Sequence, residues 1–155
     1  MPDNLPGIVG DAHRLEQAFA NLLDNAIKYS TPRSRLVIKG AYLPEGAPRP
    51  EPLSVSSGLR PSAAGGAQLG SRSWLYVSIT NQGEPIPAPD LTRVFGRFYR
   101  AAKSRSGAEG SGLGLAIVRE TVVAHGGYVE VSSDADRGTC FRTWLPARDE
   151  EGIEA

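Results

Sequence analysis

The sequence holds a single cysteine, Cys140, so it cannot close an internal disulfide. That excludes a disulfide-stapled scaffold and suits a reducing compartment. Cys140, among apolar neighbours, reads as an inert strand residue. No apolar run approaches the roughly 20 residues that cross a bilayer. The start, Met1-Pro-Asp-Asn4, is not a signal peptide, so a soluble, cytoplasmic piece is expected. A net charge is missing too: 17 basic residues cancel 17 acidic ones. No global field therefore argues for nucleic acid or an anionic membrane. Positive charge is nonetheless clustered at Arg93, Arg97, Arg100, Lys103 and Arg105. No internal repeat is evident.

What is present is enough for one domain. A chain of 155 residues can bury a full core. Asp11 is a good N-cap, and helix signals run to about Tyr29, where Ser30-Thr31-Pro32 stops them. At about 100° per residue Leu15, Phe19, Leu22, Leu23 and Ala26 share an apolar face. Arg14, Gln17, Asn21, Asn25 and Lys28 are expected on the opposite one. Leu36 to Leu43 reads as a strand. From Pro44 to Ser73 about half the residues are Pro, Gly or Ser, a composition that predicts a flexible insertion in a hairpin. Trp74 to Thr80 alternates like a strand, antiparallel to the first. A short helix is predicted over Ala88 to Phe95, a polar stretch from Tyr99 to Glu109, and a second long helix from Gly112 to Ala124. Gly126-Gly127 stops that helix. A last hairpin follows, Tyr128 to Ser132 and Thr139 to Leu145, turning at Asp134 to Gly138. Residues 1–10 read as a leader from a preceding domain, 11–146 as the domain, and 147–155 as a frayed acidic tail. The pattern predicts an α+β two-layer sandwich, its mixed, largely antiparallel sheet covered by helices on one face.

Two segments carry chemistry. Asn21-Leu-Leu-Asp-Asn25, with Lys28 a turn further on, places amide oxygens and an ammonium together. Magnesium takes oxygen ligands and often binds through few protein groups plus phosphates; a merely solvated helix face is the alternative. Gly110-Ser-Gly-Leu-Gly114 opens a helix with bare backbone that can approach an anion. It fails both the dinucleotide spacing and the Gly-Lys-Ser/Thr ending of a Walker loop.

Together these motifs resemble the catalytic and ATP-binding domain of bacterial sensor histidine kinases, within the gyrase, Hsp90 and MutL ATPase superfamily. The similarity covers roughly Asp11 to Pro146. It rests on Asn21 to Tyr29, on Val94-Phe-Gly-Arg-Phe-Tyr-Arg100, on Gly110 to Gly114 and on Gly138-Thr-Cys-Phe141. The resemblance implies a Bergerat-type fold, Mg-ATP as ligand, and transfer of the γ-phosphoryl to a histidine on a separate dimerisation domain. Asn25 would ligate Mg2+, with Asn21 beside it. Lys28, Arg97 and Arg100 would reach phosphates, and Gly110, Ser111, Gly112, Leu113 and Gly114 would wrap them. Tyr29, Gly83, Ile86 and Thr139 would line the adenine and sugar, while Phe95 and Phe98 would anchor a lid.

One box departs from the family pattern Asp-x-Gly-x-Gly. Asn81-Gln-Gly83-Glu-Pro85 puts an amide where the carboxylate accepts the adenine amino group, and a proline at the second glycine. Neutral hydrogen bonds net about 0.5–1.5 kcal/mol against about 1.5–3 for charged ones, so weakened ATP binding is expected. The run Asn81 to Pro87 is similar to copper- and silver-type heavy-metal sensor kinases. His13 and His125 lack the setting of a phosphoacceptor. The resemblance thus implies a monomeric fragment with little turnover by itself, cut from a membrane-bound homodimer that signals to a response regulator. A degenerate, weakly binding scaffold is the alternative.

Overall fold

The computed structural model describes residues 6–51, 53–58, 72–99 and 112–148. Helix α1 (Ala12–Lys28) starts where Asp11 caps it, its carboxylate accepting from the Arg14 N–H at 3.1 Å. The Asp11 N–H in turn donates to Nε2 of His125 at 3.0 Å. Since Nε2 accepts, Nδ1 carries the ring proton and donates to the Thr121 carbonyl at 2.6 Å. The imidazole thus clips the start of α1 to the end of α3 (Gly114–Ala124).

Five strands form one sheet in the order β1-β3-β5-β4-β2. They are β1 (Leu36–Leu43), β2 (Val55–Gly58), β3 (Trp74–Asn81), β4 (Tyr128–Asp134) and β5 (Gly138–Pro146). The largely antiparallel sheet expected is present, and all four pairings among the described strands are antiparallel. Alternation divides each strand between two faces. Ile79, Val129, Val131, Phe141 and Leu145 meet Ala18, Leu22, Ala26, Val118 and Val122 of the helices in the main core. Each large side chain fully buried there contributes about 1.5–3 kcal/mol. The short helix α2 (Ala88–Leu91) adds Leu91, and Val94 and Phe95 follow it into the same core.

The opposite face carries an aromatic cluster of Trp74, Tyr128 and Trp144, with Tyr76 against it. The Arg49 guanidinium lies 4.9 Å from the Trp74 ring centroid and 5.0 Å from that of Trp144, and bonds the Tyr128 hydroxyl at 2.5 Å. Beside it Glu130, 2% exposed, accepts from Trp144 Nε1 at 2.9 Å and from Arg142 at 3.3 Å. Arg142 also donates to the Glu51 carbonyl at 3.0 Å.

The expected unstructured insertion therefore does not hold for its first half. Residues 44–51 and 53–58 form a strap over the outer face and end in β2, an edge strand on β4. The Pro/Gly/Ser composition rules out a core of its own. The strap instead borrows an aromatic surface built by other strands. Residues 59–71 lie outside the described residues.

Three smaller expectations change. The predicted helix over Ala88 to Phe95 is helical only to Leu91 and continues as turns. Helix α3 begins at Gly114 rather than Gly112, whose φ of +72° is left-handed and cannot enter a right-handed helix. Leu23 is 36% exposed, while Asn21 and Asn25 are partly buried. The buried stripe of α1 is centred on Ala18, Leu22 and Ala26. Asn25 lies nearer to it around the helix than Leu23 does.

Candidate nucleotide site

Strand register sets the floor of the site. Leu36 pairs with Asn81, Asn81 with Thr139, and Thr139 with Ser133. Directly paired residues point to the same side, so these four make one row across the sheet on its helix-facing side. Two are almost fully buried, Asn81 at 3% and Thr139 at 5% exposure. Yet the Asn81 side-chain amide makes no hydrogen bond among the described residues. Its position is explained if it faces a ligand that supplies the missing bond.

The loop after β3 closes over this row. Gly83 passes so near the end of α1 that an added Cβ would lie 2.0 Å from the Tyr29 carbonyl oxygen. Only glycine permits that approach. The loop is tied down by the Thr31 N–H, which donates to the Gln82 carbonyl at 2.7 Å. Further along, the Ile86 N–H donates to the Ser133 hydroxyl at 2.8 Å, and that hydroxyl lies 2.7 Å from the one on Thr139. Ile86 itself packs against the main core. Tyr29 is 39% exposed at the C-cap of α1, beside the same loop.

The other end of the site is the start of α3. Leu113 occupies the N-cap position and makes no side-chain cap, so the first amides of the helix are left without a protein acceptor from that side chain. Such an end attracts anions. Gly114 faces Asn21, whose Cβ and Cγ would stand 3.9 Å from an added Cβ. Asn21 thus flanks the uncapped end, with Asn25 one turn further along α1. From Asn21 to Tyr29 the helix rises about 12 Å, a span that suits a purine at one end and a phosphate chain at the other. Among the described residues no group of three or more His, Cys, Asp and Glu could hold a metal. The magnesium expectation therefore rests on the Asn25 amide together with phosphate oxygens.

Two predicted phosphate contacts are engaged elsewhere. Lys28 pairs with Asp24 at 3.0 Å, with side chains 40% and 64% exposed. Arg97 donates through Nε and Nη2 to Glu120 at 3.0 and 2.6 Å on the outside of α3. Exposed pairs contribute only about 0–1 kcal/mol, so either cation can exchange its carboxylate for a phosphate. Phe95 is buried edge-on against Phe141, with ring centroids 5.9 Å apart. Phe98 is 71% exposed with φ of 63°, and its N–H donates to the Gly112 carbonyl at 2.9 Å. Nearby, burial and then the Asp90 carboxylate push the Tyr99 hydroxyl up to about 12. That carboxylate lies close enough to act on the hydroxyl, though the two are not aligned as a formed hydrogen bond. Arg100, Gly110 and Ser111 lie outside the described residues.

Sequence reasoning missed Ser133. The available signal was a polar residue where the alternation Val129, Val131 calls for a third apolar one.

Comparison with known proteins agrees with this geometry. Residues 10–149 match the family of histidine kinase-, DNA gyrase B- and HSP90-like ATPases. Sensor histidine kinase CusS of Escherichia coli strain K12 is 36% identical over 141 residues, covering 90% of this chain and 23% of that protein. Adaptive-response sensory kinase SasA of Synechococcus sp. strain CC9311 is 31% identical over 154 residues, 99% of this chain and 33% of SasA. The chain thus spans a third or less of these curated relatives. Among solved structures, mycobacterial sensor histidine kinase MprB superimposes with a TM-score of 0.63 at 30% identity, over 91% of this chain and 75% of that one. The uncapped helix start, the partnerless asparagine and the match along nearly the whole chain converge: this protein belongs to the histidine kinase-, DNA gyrase B- and HSP90-like ATPase family.

Proposed function

We propose that this chain is the nucleotide-binding half of a sensor histidine kinase, holding Mg-ATP while its γ-phosphoryl passes to a histidine on a separate dimerisation domain. The observation that carries this is Asn81, 3% exposed, without a side-chain hydrogen-bond partner among the described residues, and paired across the sheet with Thr139. Its amide oxygen accepts the exocyclic amino group of adenine. The open amides of α3 and the Asn21 amide receive phosphates, and Asn25 contributes one oxygen to Mg2+. The metal supplies charge neutralisation along the phosphate chain. This chain's own part is to bind and align, which is most of what phosphoryl transfer requires.

The acceptor is not on this chain. Both ring nitrogens of His125 are occupied, by Asp11 and Thr121, and His13 is exposed near the start of α1, followed by Arg14 rather than by the acidic residue of a phosphoacceptor motif. In the whole protein we place this domain on the cytoplasmic side of a membrane-bound homodimer that passes phosphate to a response regulator. Among the described residues no helix is long and apolar enough to cross a membrane. The resemblance of Asn81 to Pro87 to copper- and silver-type sensor kinases makes that subfamily part of the proposal.

The test is reconstitution with the protein's own dimerisation domain, Mg2+ and γ-labelled ATP. Acid-labile, alkali-stable phosphate on that domain is expected. ATP binding without transfer would favour a degenerate scaffold instead, in which Asn81 holds adenine and the occupied Arg97 and Lys28 never reach phosphate.

A further inference from the structure

The nucleotide site uses one flank of α1, and the other flank has no role so far. Asn21 faces Gly114 at the start of α3, and Leu22 faces the core. Leu23 is turned about 100° further round the helix, away from α3, and Ile27 follows it one turn on. α1 lies over β3, and α3 lies over β4 and β5. The flank turned away from α3 therefore looks towards β1, the end strand of the sheet on that side.

The helical cover stops between β3 and β1. Ile79 on β3 is buried in the main core. Ile38, paired with it on β1 and pointing to the same side, is 51% exposed. Tyr42 is exposed on that side too, and Gly40 between them has no side chain to fill the gap. Leu23 and Ile27 stand above it on the helix, Ile27 at 61% exposure. Exposed apolar side chains scattered singly are ordinary, whereas a set gathered on two neighbouring elements marks an interaction surface.

The backbone is open at the same place. Among the described residues β1 pairs only with β3, over its full length from Leu36 to Leu43 and in unbroken register. On its free edge every second residue has an N–H and a C=O without a strand partner. The strand holds no proline and no bulge, so it can accept an added strand. Its one guard is charge. Lys39 is exposed and points to the outer face, and exposed Arg35 stands just before the strand. Neither has an ion-pair partner among the described residues.

We propose that the free edge of β1 binds an extended segment of a partner protein in which apolar and acidic residues alternate. Side chains of an added strand point to the two faces in turn. The apolar ones enter the gap between Ile38, Tyr42, Leu23 and Ile27, while the carboxylates meet Lys39 and Arg35. A second copy of this chain fits less well, because β1 holds no acidic residue and would bring its own Lys39 and Arg35 to the seam. The surface lies across α1 from Asn21, so its occupancy leaves the nucleotide site open.

The test titrates the full chain with a capped, fluorescent peptide as long as β1 that alternates glutamate and valine. Two related peptides carry lysine for glutamate or serine for valine. Saturable binding of the first is expected, about tenfold or more tighter than of either relative. Amide hydrogen exchange should slow in β1 and not in β2, the edge strand at the other side of the sheet. Ile38→Ser should weaken binding about tenfold. Lys39→Glu should weaken it about fivefold and improve binding of the lysine–valine peptide. Both side chains are exposed, so both variants should melt close to wild type.

Equal affinity for the glutamate and lysine peptides, protection of a different strand, or no binding by any of the three would overturn the proposal. So would self-association of the wild type that Ile38→Ser abolishes, which would give the edge to a second copy. Binding to phosphatidylserine vesicles that Ile38→Ser abolishes would instead assign the surface to a membrane, and would overturn it equally.

Discussion

Replacing Asn81 with aspartate probes the site where it departs most from its family. The residue is 3% exposed, its side chain has no hydrogen-bond partner among the described residues, and it faces the same side as Thr139. With nucleotide bound, a carboxylate turns a neutral hydrogen bond to the adenine amino group into a charged one. The difference between these classes is about 1 kcal/mol, or about fivefold in affinity. Without nucleotide the same carboxylate would sit in a residue only 3% exposed, with no cation paired to it among the described residues, which destabilises the free protein. Burial raises its pKa above the ordinary aspartate range near 3.9. The folded state then binds the proton more tightly than the unfolded one. The penalty is accordingly absent in acid and appears as pH rises through the carboxylate's titration. Asn81→Asp should thus melt below wild type at neutral pH without ligand, and regain most of the difference when saturated with Mg-ATP. Calorimetric titration at neutral pH should show ATP binding about fivefold tighter. Affinity unchanged or weaker, together with unchanged stability of the free protein, would refute the reasoning. Asn81 would then not face adenine.

Three other outcomes are expected. Arg49→Ala removes the guanidinium from between Trp74 and Trp144, where cation–aromatic contacts contribute up to about 2 kcal/mol when desolvated. The unpartnered Arg49 Nη2 offsets part of that, so a urea melt should lose about 1 kcal/mol, Arg49→Lys should recover little of it, and ATP affinity should not change. Gly83→Ala drives a methyl towards the Tyr29 carbonyl. Overpacking of this kind costs about 1–3 kcal/mol, and the loop shift it forces should weaken ATP binding in a fluorescent-nucleotide displacement assay more than tripolyphosphate binding. Tyr99 is pushed up to about 12 by burial and Asp90, so its neutral form is favoured in the fold. Its contribution is complete below the ordinary tyrosine value of about 10 and is lost as pH rises towards about 12. The stability advantage of wild type over Tyr99→Phe should shrink across that window in urea melts, and a constant difference would count against it.

The local elements were legible because their signals are local. Asp11 as a cap, the alternation of Trp74 to Asn81 and the turn at Asp134 to Gly138 are decided within a few residues of chain. The ordered motifs similarly sufficed for the family, since a nucleotide site needs particular residue types at particular steps along α1 and before α3. Less legible was which way a borderline residue turns. Leu23 and Asn25 change sides because the helix packs on α3 as well as on the sheet, and a single wheel cannot hold two neighbours.

The sequence by itself determined the main secondary elements other than β2, the anion-binding helix start and the asparagine in place of a carboxylate, all properties of neighbouring residues. Only the tertiary structure decided the rest. It set Ser133, Thr139 and Asn81 in one row, because register across three strands is a long-range property. It also turned part of a Pro/Gly/Ser-rich insertion into a strap, because the Arg49 partners Trp74, Tyr128 and Trp144 come from three different strands. Composition measures what a segment can bury within itself. It does not register a surface that distant strands assemble for it.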